Sequence, residues 1–298
     1  MIKVDEEKCT DCGICYEVCP SYEVCPSYVF SRTDEETKKT AVRYSDLCSS
    51  CGHCISICPV NAITHDAFSN DDFQNIDATS VQPSDLQNLI LSRRSIRKYK
   101  EKQVPDEIIE QLIECGIHAG SGGNIQSESF AVINNRDYLK KIEPVVIDSL
   151  WDGGIKFFTG KGLLQRVLTK KFGARLSEQY GKYNKIIRFR RENNEMEGVV
   201  FRNAPAIIII HGLTENYLAQ TNSAIALRNI ELMAQTMGLG SCHAGFLVSA
   251  ADMRQKKINK MLGIDNSRKI YGALMIGYPK YKYKKRIPRA KREVTRIA

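Results

Sequence analysis

Apolar residues recur at helical spacing in two stretches beyond the first quarter of the chain. Leu86, Leu89 and Ile90 mark one face of a helix running into Ser92, and Ser84 with Gln87 forms a capping-box pattern at its start. Ile108, Ile109, Leu112 and Ile113 mark a second helix. It starts near Pro105, with Asp106 and Glu107 in the first turn, where carboxylates meet the positive end of the helix dipole. Short apolar runs at residues 130–133, 206–211 and 271–276 read as strands, and residues 221–237 as a long, largely buried helix. This alternation predicts an α+β domain. Residues 150–200 are basic, aromatic and without a clear period, which leaves a helical excursion over a site and a basic surface lid as open readings. Residues 67–83 are polar and turn-rich, a linker pattern. They divide the chain into 1–66, a linker at 67–83, and 84–298.

Composition sharpens this division. With 298 residues, 43% hydrophobic and 26% charged, the chain reads as globular protein of about two domains. Its longest purely aliphatic run, residues 207–210, is far short of the ~20 residues of a membrane helix. The first residues lack an apolar signal core. The expectation is a cytoplasmic protein that neither spans a membrane nor is exported. Charge is uneven: residues 1–80 carry net −8, so the remainder carries +17 of the overall +9. Nine of the 11 cysteines lie in the first 58 residues.

Those cysteines repeat one spacing. Cys9, Cys12, Cys15 and Cys19 are followed by Pro20; Cys48, Cys51, Cys54 and Cys58 are followed by Pro59. Three thiolates at two-residue steps can surround one inorganic cube, and the fourth, one helical turn on, reaches a neighbouring cube. The spacing therefore predicts two [4Fe–4S] clusters, one on Cys9, Cys12, Cys15 and Cys58, the other on Cys48, Cys51, Cys54 and Cys19. Zinc prefers paired C-x2-C units, and a disulfide framework expects secretion, so both fit poorly. A direct duplication, Glu17-Val-Cys-Pro-Ser-Tyr22 then Glu23-Val-Cys-Pro-Ser-Tyr28, adds Cys25. Cys19 keeps the upstream spacing and Cys25 the downstream pattern, so either can be the fourth ligand, with Cys19 slightly favoured. Residues 1–66 resemble a two-cluster bacterial-type ferredoxin.

The larger part lacks both G-x-G-x-x-G and the P-loop pattern. It has instead Ser92-Arg-Arg-Ser-Ile-Arg-Lys-Tyr99, Gly120-Ser-Gly-Gly-Asn-Ile-Gln126, Gly238-Leu-Gly-Ser-Cys-His-Ala-Gly245 and Lys284-Lys-Arg-Ile-Pro288. Arginine forks suit phosphate, and glycines let backbone approach a planar ligand. In this order the four motifs resemble the FMN-dependent nitroreductase family over residues 84–290. The resemblance implies that Arg93, Arg94 and Ser95 hold the FMN phosphate and ribityl chain and that Arg97 lies at the N1/C2 edge of the flavin. It implies that Asn124 contacts the ring, that His243, Ala244, Gly245 and Phe246 run along it, and that Lys284 and Arg286 clamp the phosphate. It further implies a homodimer with FMN at the interface. His243 is a candidate proton donor beside a structural role. Ser127-Glu128 departs from the family's Pro-Trp, and Cys115 and Cys242 read as buried structural thiols.

The function expected is an iron–sulfur flavoprotein oxidoreductase. An external low-potential donor would feed two [4Fe–4S] clusters and FMN, and the acceptor would be small and oxidised: a nitroaromatic, a quinone or an activated double bond. The alternative is a redox-sensing or electron-transfer protein that binds nucleic acid through the basic, tyrosine-interleaved tail at 278–292. Against it, two of those cations are assigned to FMN and the acidic N-terminal part can partner the rest.

Overall fold

The computed structural model describes residues 1–19, 29–32, 40–77 and 80–297. The chain forms two compact units. One comprises Met1–Ser80 with Gly122–Ile125, the other Val81–Ser121 with Gln126–Ala298.

The first unit is a doubled arrangement of small elements: β1 (Ile2–Val4), α1 (Ile14–Glu17), β2 (Phe30–Arg32), β3 (Thr40–Val42), α2 (His53–Ile57) and β4 (Ile63–His65). β1 pairs antiparallel with β4, and β2 with β3. Among the described residues its core cluster comprises Ile2, Val29, Phe30, Cys54, Ile55 and Ile63, with further cysteines packed against it.

The second unit contains α3 (Pro83–Ser92), α4 (Asp106–Ile117), β5 (Ser129–Ile133), α5 (Arg136–Gly153), α6 (Gly162–Phe172), α7 (Ala174–Glu192), β6 (Ala206–Leu213), α8 (Ala219–Thr236), β7 (Gly240–His243), α9 (Gly245–Met253), α10 (Gln255–Leu262) and β8 (Arg268–Gly277). The sheet order is β5-β6-β8-β7, antiparallel throughout. Side chains alternate across a strand. In β6, Ile207 and Ile209 accordingly pack into one core layer while Ala206, Ile208 and Ile210 pack into another. Burial on both faces explains the unbroken aliphatic run. Asn135 caps α5, its side chain accepting from the Tyr138 N–H at 2.9 Å.

Some expectations require correction. α3 starts at Pro83 after Gln82, without a side-chain cap, so Ser84 and Gln87 do not form a capping box at its start. The helix itself runs to Ser92 as the periodicity predicts, with Leu86 and Ile90 45% and 43% exposed. In α4 the fully buried positions are Ile109, Leu112 and Gly116, and Ile108 and Ile113 pack at the margin. Residues 162–192 are two helices. No helix among the described residues is long and apolar enough to cross a membrane.

Candidate functional site

The two cysteine loops share one backbone course. Asp11 and Ser50, each two residues after the first cysteine of its run, have φ of 53° and 51°. Gly13 and Gly52, each following the second cysteine, have φ of 76° and 74° and open α1 and α2. Left-handed residues so placed turn the chain tightly round its own thiols. The Asp11 N–H donates to Cys9 Sγ at 3.4 Å and the Ala62 N–H to Cys58 Sγ at 3.2 Å.

The thiols divide between two pockets. Cys9, Cys12, Cys15 and Cys58 line one, with Gly13, Pro59 and Ile63. Cys19, Cys48, Cys51 and Cys54 line the other, with Phe30 and Phe68. Each run thus sends its fourth cysteine to the other's pocket. The ten described cysteines are free thiols, and Cys25 lies outside the described residues. Among the described residues, no three His, Cys, Asp or Glu side chains gather as they would round a single metal ion. A cluster binds thiolates round a larger body, and two four-thiol pockets fit that requirement. Burial pushes the Cys15 thiol up to about 11 and the Cys54 thiol up to about 12. Iron bound to such thiols would replace their protons, as a metal ion does at any coordinated thiolate.

In the second unit the arginine motif is stitched to β7. Ser95 bridges to Ser241 and the Ile96 N–H donates to the Ser241 carbonyl at 2.8 Å. Lys100 N–H donates to the Tyr278 carbonyl and Lys280 N–H to that of Lys98, which fixes the start of the C-terminal segment beside the motif. Between them lies a cleft of about 370 Å³, bordered by Arg93, Arg94, Lys100, Ser241, Tyr281 and Lys282. Arg94 donates to the carbonyls of Leu91, Arg93 and Lys285, yet its buried Nε has no partner among the described residues. A buried donor without an acceptor in a cationic cleft fits a phosphate.

Glu231, on α8, organises this region and was absent from the sequence-derived set. It is 4% exposed. Its Oε1 lies 3.5 Å from Arg93, 3.4 Å from Ser241 Oγ and 3.6 Å from His243 Nε2, and its Oε2 lies 3.3 Å from Arg228. Burial would raise its pKa, but His243, Arg93 and Arg228 together hold the carboxyl below its ordinary value. The only sequence signal was a lone acid on the apolar helix 221–237, a pattern that calls for a buried cationic partner.

The remaining candidates are placed as follows. Arg97 is exposed and its Nη1 is 3.4 Å from the Ser95 carbonyl. Ala244 is buried, Gly245 opens α9, and Phe246 meets Tyr183 edge-on at 4.8 Å. Lys284 and Arg286 are exposed, and Arg286 is bound to Asn88 of α3. Asn124 belongs to the first unit, where its Nδ2 donates to the carbonyls of Ser49 and Ser50, 3.0 Å each. Glu128, in place of the family's apolar wall, accepts from Asn222 at 2.9 Å. Cys242 is buried, whereas Cys115 is only half-buried, which corrects that part of the expectation.

A model of the nitroreductase family matches residues 90–278, and one of a 4Fe-4S dicluster domain matches residues 8–62. An Archaeoglobus fulgidus protein, named as a candidate NADH dehydrogenase/NAD(P)H nitroreductase, is 27% identical over 64% of this chain and 84% of its own. The nitroreductase NfnB of Mycolicibacterium smegmatis is 27% identical over 64% of this chain and 82% of its own. Among solved structures, a Bacteroides fragilis nitroreductase with bound FMN superposes with a TM-score of 0.52. It is 20% identical and covers 72% of this chain and 98% of its own, a likeness of fold.

Proposed function

The chain belongs to the nitroreductase family, with a 4Fe-4S dicluster domain at its N-terminal side, and from this we propose an electron path that joins the two. The protein is an FMN-dependent oxidoreductase. In the path proposed, an external low-potential donor reduces two [4Fe–4S] clusters, and the electrons pass through FMN to a small oxidised acceptor, such as a nitroaromatic, a quinone or an activated double bond. Clusters carry single electrons, and a flavin can accept them singly and deliver a pair.

The reading rests on the exchange of fourth cysteines between the two pockets of the first unit and, in the second unit, on a cationic cleft that fits a phosphate. Cys9, Cys12, Cys15 and Cys58 would hold one cluster and Cys48, Cys51, Cys54 and Cys19 the other. Arg93, Arg94 and Ser95 would hold the phosphate and ribityl chain, aided by Lys284 and Arg286. Arg97 would meet the N1/C2 edge of the ring, and residues 243–246 would run along it. Glu231 pairs with Arg93 and Ser241, and its carboxylate, 3.6 Å from His243 Nε2, would orient that candidate proton donor. We take the protein to act in the reducing cytoplasm, which keeps such thiols available to iron, and as a homodimer with FMN at the interface. The nucleic-acid reading has less support, because the first residues of the tail are bonded to residues 98–100.

Anaerobic purification with iron, sulfide and flavin counting tests the reading. About eight irons and one FMN per chain are expected. Four irons, or no flavin, would overturn it.

A further inference from the structure

A second cavity of the larger unit, about 480 Å³, lies beside Phe246 and the edge-on Phe246–Tyr183 pair. Its walls are Tyr183, Ile186 and Phe189 of α7, Val199 and Phe246, and its charged members are Lys185, Arg190 and Arg202. It contains three cations and no carboxylate.

Arg202 is the informative member. Its backbone is left-handed, φ 56°, an uncommon conformation for a long side chain, so the position is imposed by its surroundings. The imposing group is Glu143, 3% exposed, whose carboxylate accepts from the N–H groups of Gly198, Val200 and Phe201 at 2.7, 2.6 and 3.0 Å. That clamp fixes the turn from which Arg202 projects and spends the Glu143 oxygens on backbone. Arg202 itself is half-buried and makes no ion pair among the described residues. Burial, and then the charges of Arg97 and Arg190, depress its guanidinium. Arg190 also donates to the Glu195 carbonyl, which holds it in place. A surface lid would leave its cations solvated and mobile. Here a clamped turn keeps one guanidinium partly out of water, with Arg97 and Arg190 acting on it and only the Glu143 carboxylate, already bonded to backbone, opposing them, at the edge of an aromatic wall.

We propose that this cavity receives the acceptor and selects planar molecules that carry a carboxylate, with the carboxylate on Arg202 and the ring against Phe246 and Tyr183. A guanidinium matches a carboxylate with two parallel hydrogen bonds, and aromatic faces match a conjugated ring. The inference rests on the flavin reading, since Phe246 closes the segment placed along the flavin ring.

The test is calorimetric binding to the full-length, flavin-loaded protein, with 4-nitrobenzoate compared to its neutral counterpart 4-nitroacetophenone. A preference for the anion of about tenfold or more is expected, a difference near 1.4 kcal/mol. Arg202→Gln should erase the preference without changing the affinity for the neutral probe, and Arg202→Lys should restore part of it. Arg190→Gln, measured alongside, should reduce the preference and serves if Arg202→Gln fails to fold. Equal affinity of the wild type for both probes, or a preference unchanged in both glutamine variants, would overturn the proposal. A flavin count on the same samples separates the two readings. An anion preference in protein that holds no flavin would uphold the anion pocket and sink its placement beside the flavin.

Discussion

At the scale of single residues, Glu231 is the point where several charges depend on one another. Its carboxyl is held below its ordinary value of 4.5 by His243, Arg93 and Arg228, against the opposing effect of burial. A carboxyl with a depressed folded pKa adds stability above its unfolded value and loses it as pH falls through the folded one. Glu231→Gln is therefore expected to lose about 1 to 3 kcal/mol near neutrality. The loss relative to wild type should shrink as pH falls below 4.5. Denaturant titrations across that range check this, and a loss independent of pH would show that the charge is not involved. If Arg93 holds the FMN phosphate as proposed, Arg93→Ala removes a charge-assisted contact of about 1.5 to 3 kcal/mol. FMN retention on ultrafiltration should fall while iron per chain stays constant, and Arg286→Ala should do the same to a smaller extent because that side chain is already shared with Asn88.

At the scale of elements, the placement of the arginine motif depends on β7. A Cβ at Gly240 would lie 2.8 Å from Ile96 Cβ, closer than real contacts allow, and Ile96 sits between Ser95 and Arg97. Gly240→Ala should cost about 1 to 3 kcal/mol of stability and also weaken flavin retention, since the displaced segment carries the arginines proposed to hold the phosphate. Gly181→Ala, in α7, meets only the Phe158 carbonyl oxygen at 3.7 Å, an ordinary contact, and is the control. Thermal unfolding with flavin release measures both effects, and normal flavin retention in Gly240→Ala would detach β7 from the site. In the first unit, α1 delivers Cys19 to the pocket of the second run. Cys19→Ser is accordingly expected to lose iron from one cluster, while Cys25→Ser keeps it, because a serine oxygen matches iron less well than thiolate does. Iron counts and the visible spectrum distinguish them, and full iron in both variants would refute the exchange of fourth cysteines.

At the scale of the whole molecule, one chain joins a one-electron carrier to a two-electron flavin site, and the covalent link keeps donor and acceptor at high effective concentration. If the clusters form the entry route, Cys51→Ser should abolish flavin reduction by a low-potential one-electron donor. Flavin content and chemical reducibility should stay intact. Anaerobic stopped-flow that follows cluster bleaching and flavin reduction separately is the measurement. Equal flavin reduction rates in wild type and variant would assign the clusters a structural role only.

The sequence alone determined what depends on neighbours in the chain. Cysteine spacing specified two four-thiol sets because a few residues of loop and one helical turn fix where thiols can point, and the folded loops repeat one backbone course at Asp11, Gly13, Ser50 and Gly52. Apolar periodicity located α4, β6, α8 and β8, since a strand or helix has to bury one recurrent set of positions. β7 was read only as part of a glycine-rich loop, because four residues are too few to show a period. The tertiary structure decided the rest. Glu231 gathers Arg93 from 138 residues away, and Glu143 clamps a turn more than 50 residues downstream. A lone acid in an apolar helix signals such a pair without naming its partner: a buried carboxylate is tolerated only where packing delivers its donors, and packing is a property of the folded chain.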